Sequence, residues 1–163
     1  MNSVELINNS LEWLKDNYSC YRFYKERDII FMLQTYLNDF IKKNSLPFKS
    51  YNDYPILCCA NKRHLADLVI KTNDEKDDMV DAAVEFKYEP DKKRKNTDML
   101  SGKFPAVCWN GEYSVLGDIE RIRKYIQRSK ANHAYSIFID EGRHFYKNPR
   151  YDKKTPKDSK WVE

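Results

Sequence analysis

Four glycines in 163 residues leave no glycine-rich loop whose backbone N–H groups could cradle a phosphate, which removes the P-loop and dinucleotide-binding classes. The four cysteines, Cys20, Cys58, Cys59 and Cys108, form no C-x-x-C pair, and the histidines at 64, 133 and 144 are scattered, so no zinc spacing exists. We read four reduced thiols, as expected of a cytoplasmic protein. A Cys58/Cys59/His64 nucleophile site lacks any residue that would orient the base, and buried thiols are ordinarily inert. No apolar run approaches the ~20 residues of a membrane span, and the start MNSVELINNSLEWLKDN has no basic stretch leading into an apolar one. The acids Asp74, Glu75, Asp77, Asp78 and Asp81 lack the glycine and closing Glu of a calcium loop and read as a solvated turn.

Aromatic residues and charge are abundant. Twelve Tyr, eight Phe and three Trp can fill a core despite 33% charged residues. The length suits one domain, residues 1–163, with 147–163 as a loosely packed basic tail. Net charge is +4, but residues 1–85 carry 11 Lys/Arg against 14 Asp/Glu, whereas residues 86–163 carry 18 against 11. The basic second half suits a polyanionic partner such as nucleic acid, DNA ahead of RNA; a merely solvated Lys-rich surface is the alternative.

Apolar periodicity predicts helices over 3–16 and 23–44, the second with a stripe of Ile29, Ile30, Leu33, Leu37, Phe40 and Ile41. Strands are expected at 48–58, interrupted around Asp53 and Pro55, at 63–71 and at 79–88, with a polar turn at 72–78. A charged loop, 89–103, and a short buried extended piece, FPAVCW, should lead to a helix from Gly117-Asp118 to about 131, with Leu116, Ile119, Ile122 and Ile126 inward. A fourth strand should span 133–140. This order makes an α/β protein with a central mixed four-stranded sheet flanked by helices, an αβββαβ core.

Three charges stand inside apolar elements. Glu85 and Lys87 lie two residues apart in AAVEFKYEP, so they share one face of a strand that is otherwise core. Asp67 interrupts ADLVI in the preceding strand, and the short turn between the strands makes a hairpin that brings Asp67 within reach of Glu85. Two carboxylates converging in a low-dielectric site repel, and one is driven to protonate. A divalent cation removes the conflict, and Mg²⁺ prefers such hard oxygen ligands. Glu26 falls on the apolar stripe of the long helix and could reach the same place; alternatively it only complements the helix dipole. A plain Glu85–Lys87 ion pair remains the structural alternative.

A helical Glu (Glu26), an Asp on the second strand (Asp67) and the E-x-K of the third (Glu85-Phe86-Lys87), followed by a helix and a strand, resemble the PD-(D/E)XK nuclease superfamily of restriction-endonuclease-like fold over roughly residues 20–140. Ala66 stands where the named motif has Pro. VEFKYEPDKKRK and AYSIFIDEG are similar to a group of prokaryotic proteins in that superfamily. The resemblance implies Mg²⁺-dependent phosphodiester hydrolysis in nucleic acid, with Mn²⁺ able to substitute. It also implies catalytic roles for Glu26, Asp67, Glu85 and Lys87, and metal binding by Asp67, Glu85 and the Phe86 carbonyl. Four other acid-x-Lys triplets, such as Asp74-Glu75-Lys76, lie in polar stretches, so it is the apolar setting that singles out Glu85-Phe86-Lys87.

Arg121, Lys124 and Arg128 fall on one side of the predicted helix, and Lys92, Lys93, Arg94 and Lys95 follow the E-x-K strand. They read as phosphate contacts or as solvated faces. Trp109 and Tyr113 could stack on a base, or simply pack. The competing function is a nucleic-acid-binding or protein-interaction module that keeps the fold without catalysis. With no obvious target-recognition domain, a homodimer or a partner subunit is expected.

Overall fold

A computed structural model describes residues 1–59, 62–73, 79–97, 107–146, 148–152 and 157. The chain runs α1 (Ser3–Asn17), a short 3₁₀ turn (Tyr18–Cys20), α2 (Glu26–Lys43), β1 (Phe48–Cys59), β2 (Lys62–Thr72), β3 (Val80–Glu89), α3 (Lys92–Thr97), α4 (Val115–Gln127), β4 (Ala131–Asp140) and α5 (Pro149–Asp152). The four strands form one sheet in the order β1-β2-β3-β4. The first two pairings are antiparallel and the β3–β4 pairing is parallel, as a crossover through α4 requires. The expected mixed four-stranded α/β architecture is therefore present.

Helices cover both faces. Leu33 and Leu37 of α2 and Leu6 of α1 pack on Leu68, Ile70, Ala82 and Val84. Tyr125 and Ile122 of α4 pack on Val69, Val80 and Ala83, which point the other way. β3 is thus buried on both sides, which explains its nearly unbroken apolar run.

Several expectations are corrected. Lys25 is extended, so α2 begins at Glu26, three residues later than predicted. β1 runs as one strand, but the interruption expected around Asp53 and Pro55 is present as a local irregularity: Asp53 takes a left-handed conformation (φ 47°) and a register shift follows between Pro55 and Leu57, after which pairing resumes. The charged loop contains α3. Of FPAVCW, residues 107–109 have no regular structure and the rest lie outside the described residues. So do most of the 147–163 tail and positions 74–78 of the polar turn.

α4 starts at Val115, with the Ser114 hydroxyl accepting from the Gly117 N–H at 3.1 Å. A Cβ at Gly117 would lie 2.4 Å from the carbonyl oxygens of Gly111 and Glu112, so only glycine fits this entry. Ile126, predicted inward, is 45% exposed, and Tyr125 is buried in its place. Hence α4 turns the stripe Asp118, Ile122, Tyr125 toward the sheet.

Candidate active site

The site begins where β2 and β3 separate. Their ladder runs Ile70–Ala82, Val69–Ala83, Leu68–Val84. Asp67 and Glu85 are the next residues along the two strands, just beyond the last paired step, and the register of that ladder puts them on the same face. Here the Phe86 N–H donates to Asp67 Oδ2 at 2.7 Å, so a side chain takes up a backbone donor at the fork. Residues 67 and 85 have the strand parity of Val69 and Ala83, and so face α4.

α4 meets them with residues that the sequence reading did not place there. Arg121 donates to Glu85 Oε2 at 3.0 Å, and the Tyr125 hydroxyl donates to Glu85 Oε1. Arg121 also bonds the Asp118 carboxylate and the Glu112 carbonyl. Asp118 is fully buried, and its Oδ2 lies 2.9 Å from Lys87 Nζ. That ammonium also donates to the Phe86 carbonyl at 3.0 Å and lies 3.5 Å from Glu26 Oε2. Asp28, not Glu26, caps α2, accepting from the Tyr24 and Lys25 N–H groups. Glu26 is therefore spared for the cluster.

Four carboxylates (Glu26, Asp67, Glu85, Asp118) thus gather around two cations (Lys87, Arg121), a formal balance of −2 when all are ionised. The electrostatics follow. Burial, then the neighbouring Asp67 charge, push Glu85 up to about 7 despite Tyr125 and Arg121. Burial pushes Glu26 up to about 7, although Lys87 pulls against it. Asp67 and Asp118 are raised as well, chiefly by burial. Burial alone would lower Lys87, but Asp118 and Glu26 outweigh it and hold the ammonium above the ordinary lysine range.

The donor set is all hard oxygen, and the surplus negative charge is what a divalent cation would neutralise, so the residues fit Mg²⁺ or Mn²⁺ in chemistry. In arrangement, no three His, Cys, Asp or Glu side chains converge closely enough to hold an ion among the described residues. Lys87, Arg121 and Tyr125 occupy the oxygens instead.

The other predicted nucleic-acid residues divide. Lys92, Lys93, Lys124 and Arg128 are exposed. Arg121 and Arg94, expected on solvated surfaces, turn inward. Arg94 pairs with Glu141 at 3.1 Å and donates to the Tyr88 hydroxyl at 3.0 Å and to the Phe23 carbonyl. The Lys95 side chain lies outside what is described. Trp109 is buried in an aromatic cluster with Phe138, Phe145 and Tyr151, whereas Tyr113 is 71% exposed. Cys20 and Cys108 are exposed free thiols, and no described helix is long and apolar enough to cross a membrane.

Sequence reasoning missed Asp118 and Tyr125 and assigned Arg121 to the nucleic-acid surface, not to the cluster where it pairs with Glu85 and Asp118. The one available signal for the three was the i, i+3, i+7 spacing of an acid, a base and an aromatic on a single helix face. No protein-family model, curated protein or solved structure matches the chain.

Proposed function

We propose that this chain is a divalent-metal-dependent phosphodiesterase acting on nucleic acid, with the restriction-endonuclease-like variant of the α/β fold. The observation that carries the reading is the convergence of Glu26, Asp67, Glu85, Asp118, Lys87 and Arg121 at the β2/β3 fork. Such a cluster is costly as a purely structural device, because desolvating six charges at a net −2 gains little stability. The antiparallel-antiparallel-parallel sheet with the crossover helix α4 agrees with the fold reading.

Asp67 and Glu85, with the Phe86 carbonyl, are the residues that would hold the ion. When bound, Mg²⁺ supplies a Lewis acid that offsets charge on the phosphate. Lys87 directs its ammonium at a phosphate oxygen or the attacking water, and Asp118 holds that ammonium in place. Glu26, pushed up to about 7, exchanges a proton readily at neutral pH, as general acid–base work requires. The exposed Lys92, Lys93, Lys124 and Arg128 lie on the surfaces of α3 and α4 and would contact the phosphate backbone.

A second reading is favoured by the engagement of the ligand oxygens with Lys87, Arg121 and Tyr125: a nucleic-acid-binding or protein-interaction module that keeps the fold without catalysis. Incubation of wild type and Asp67→Ala with plasmid, single-stranded DNA and RNA, in Mg²⁺ or Mn²⁺ and in chelator, separates the two. Metal-dependent cutting by wild type alone is expected. Binding without cutting under every condition would favour the module.

A further inference from the structure

The segment that delivers Glu26 to the cluster also carries an exposed aromatic and basic surface. An open groove of about 410 Å³ is lined by Tyr21, Phe31, Arg22, Lys25 and Arg27, among others. Phe31 is 62% exposed, and Tyr24, beside the groove, is 41% exposed. Large rings this open on a helix and its leading turn contribute little to the fold. Tyr21 packs at a tilt against Trp13 and Phe23, with ring centroids 6.1 and 5.9 Å away, so one wall of the groove is preset.

Charge favours a polyanion. Three cations line the groove against one acid, Asp28, whose carboxylate is turned back to the Tyr24 and Lys25 N–H groups. Arg27 is paired with Asp53 at 3.0 Å, but both partners are exposed, and such pairs yield readily to a phosphate. Rings interleaved with cations in a groove suit unpaired bases: bases stack on the rings while the cations track the backbone. In a duplex those base faces are already stacked on one another and unavailable.

We propose that the Tyr21–Phe31 groove binds single-stranded nucleic acid and leads it past Glu26 into the acidic cluster. That the bound strand is also the substrate rests on the hydrolase reading above; that it binds does not.

Fluorescence anisotropy with labelled (dT)15, and with a 15-base-pair duplex as competitor, tests this in chelator, where cleavage cannot interfere. Wild type should prefer (dT)15 by at least about tenfold. Phe31→Ala and Tyr24→Ala should each weaken (dT)15 binding by about tenfold, the loss typical of one stacked base. Both side chains are exposed, so folding is not at stake. Phe31→Leu keeps the apolar bulk but removes the ring, and should behave like Phe31→Ala. Equal affinity for the duplex, or Phe31→Leu binding as well as wild type, would overturn the proposal; the second result would mark the patch as an apolar docking surface for a protein. A wild type that binds in this way but never cuts would sink the hydrolase reading alone, whereas metal-dependent cutting with Phe31→Ala binding unchanged would sink this one alone.

Discussion

Lys87 Nζ lies 2.9 Å from Asp118 Oδ2, and the aspartate has no access to solvent. The pair joins the end of β3 to the first turn of α4. Asp118→Asn keeps the shape but removes the charge that fixes the ammonium. We expect a fall in cleavage rate of about tenfold to a hundredfold, somewhat less than the 10²–10³ typical of losing a preorganised electrostatic group outright, with divalent-ion affinity unchanged or modestly lower because one counter-charge of the cluster is lost. Lys87→Ala should lose at least as much. Single-turnover rates at saturating metal check this, and unaltered cleavage by Asp118→Asn would show that Lys87 is positioned without it.

The cluster predicts an unusual pH dependence of the metal-free protein. Glu26 and Glu85 are both raised to about 7, above the ordinary carboxylate range. Between about pH 4.5 and 7 the folded state holds protons that the unfolded chain has released, so stability falls as pH rises through that window. The loss reads as a fall in Tm across that window. Added Mg²⁺ should restore stability at pH 8, by about 2.7 kcal/mol at a hundredfold excess over Kd. Melting curves in chelator from pH 5 to 8.5 read this directly, and a Tm that climbs toward pH 8 would contradict it.

Arg121 and its helix neighbours should separate in their salt response. Lys124 and Arg128 are exposed, whereas Arg121 is bound to Glu85 and Asp118. If the outer face of α4 meets a duplex backbone, replacing Lys124 and Arg128 together by Ala should flatten the logarithmic salt slope of binding by about two, at ~0.9 per phosphate contact. Arg121→Ala should leave the slope alone and lower stability instead, because it leaves Glu85 buried without its cation. A slope that changes with Arg121 and not with the other two would reverse the assignment.

How much of this was legible in the sequence depended on contrast. Glu85, Lys87 and Asp67 are charges in apolar strands, where period-two alternation leaves no innocent place for them. Glu26 stood out on the apolar stripe of α2, and Asp28 proved to be the cap. Asp118 gave no such signal, because an acid in a helix's first turn also reads as complementing the dipole. Arg121 hid among Arg123, Lys124 and Arg128, where a basic face looks solvated until a buried partner appears. Helix α3 escaped notice because KKRKNT has no apolar stripe to set a period. The Ile126 error arose because Ile122 fits two stripes; the buried Tyr125, tied to Glu85, decides between them.

Core packing supplies an independent control. Leu37 is fully buried between α2 and the sheet, so Leu37→Ala should cost about 2–5 kcal/mol. Chemical denaturation compares it with Phe31→Ala on the outer side of the same helix, which should stay within about 0.5 kcal/mol of wild type. Similar losses for both would mean that α2 is rotated from its described orientation.

Calorimetric titration of Mn²⁺ into the protein at pH 7.5 tests the proposed metal site most directly. Wild type should bind at least one ion. Asp67→Ala should lose that binding, since a ligand and a counter-charge vanish together. Lys87→Ala should bind as tightly as wild type or tighter, because it frees the Phe86 carbonyl and removes a competing cation. Absence of Mn²⁺ binding by wild type, or equal binding by Asp67→Ala, would contradict a metal site at the β2/β3 fork.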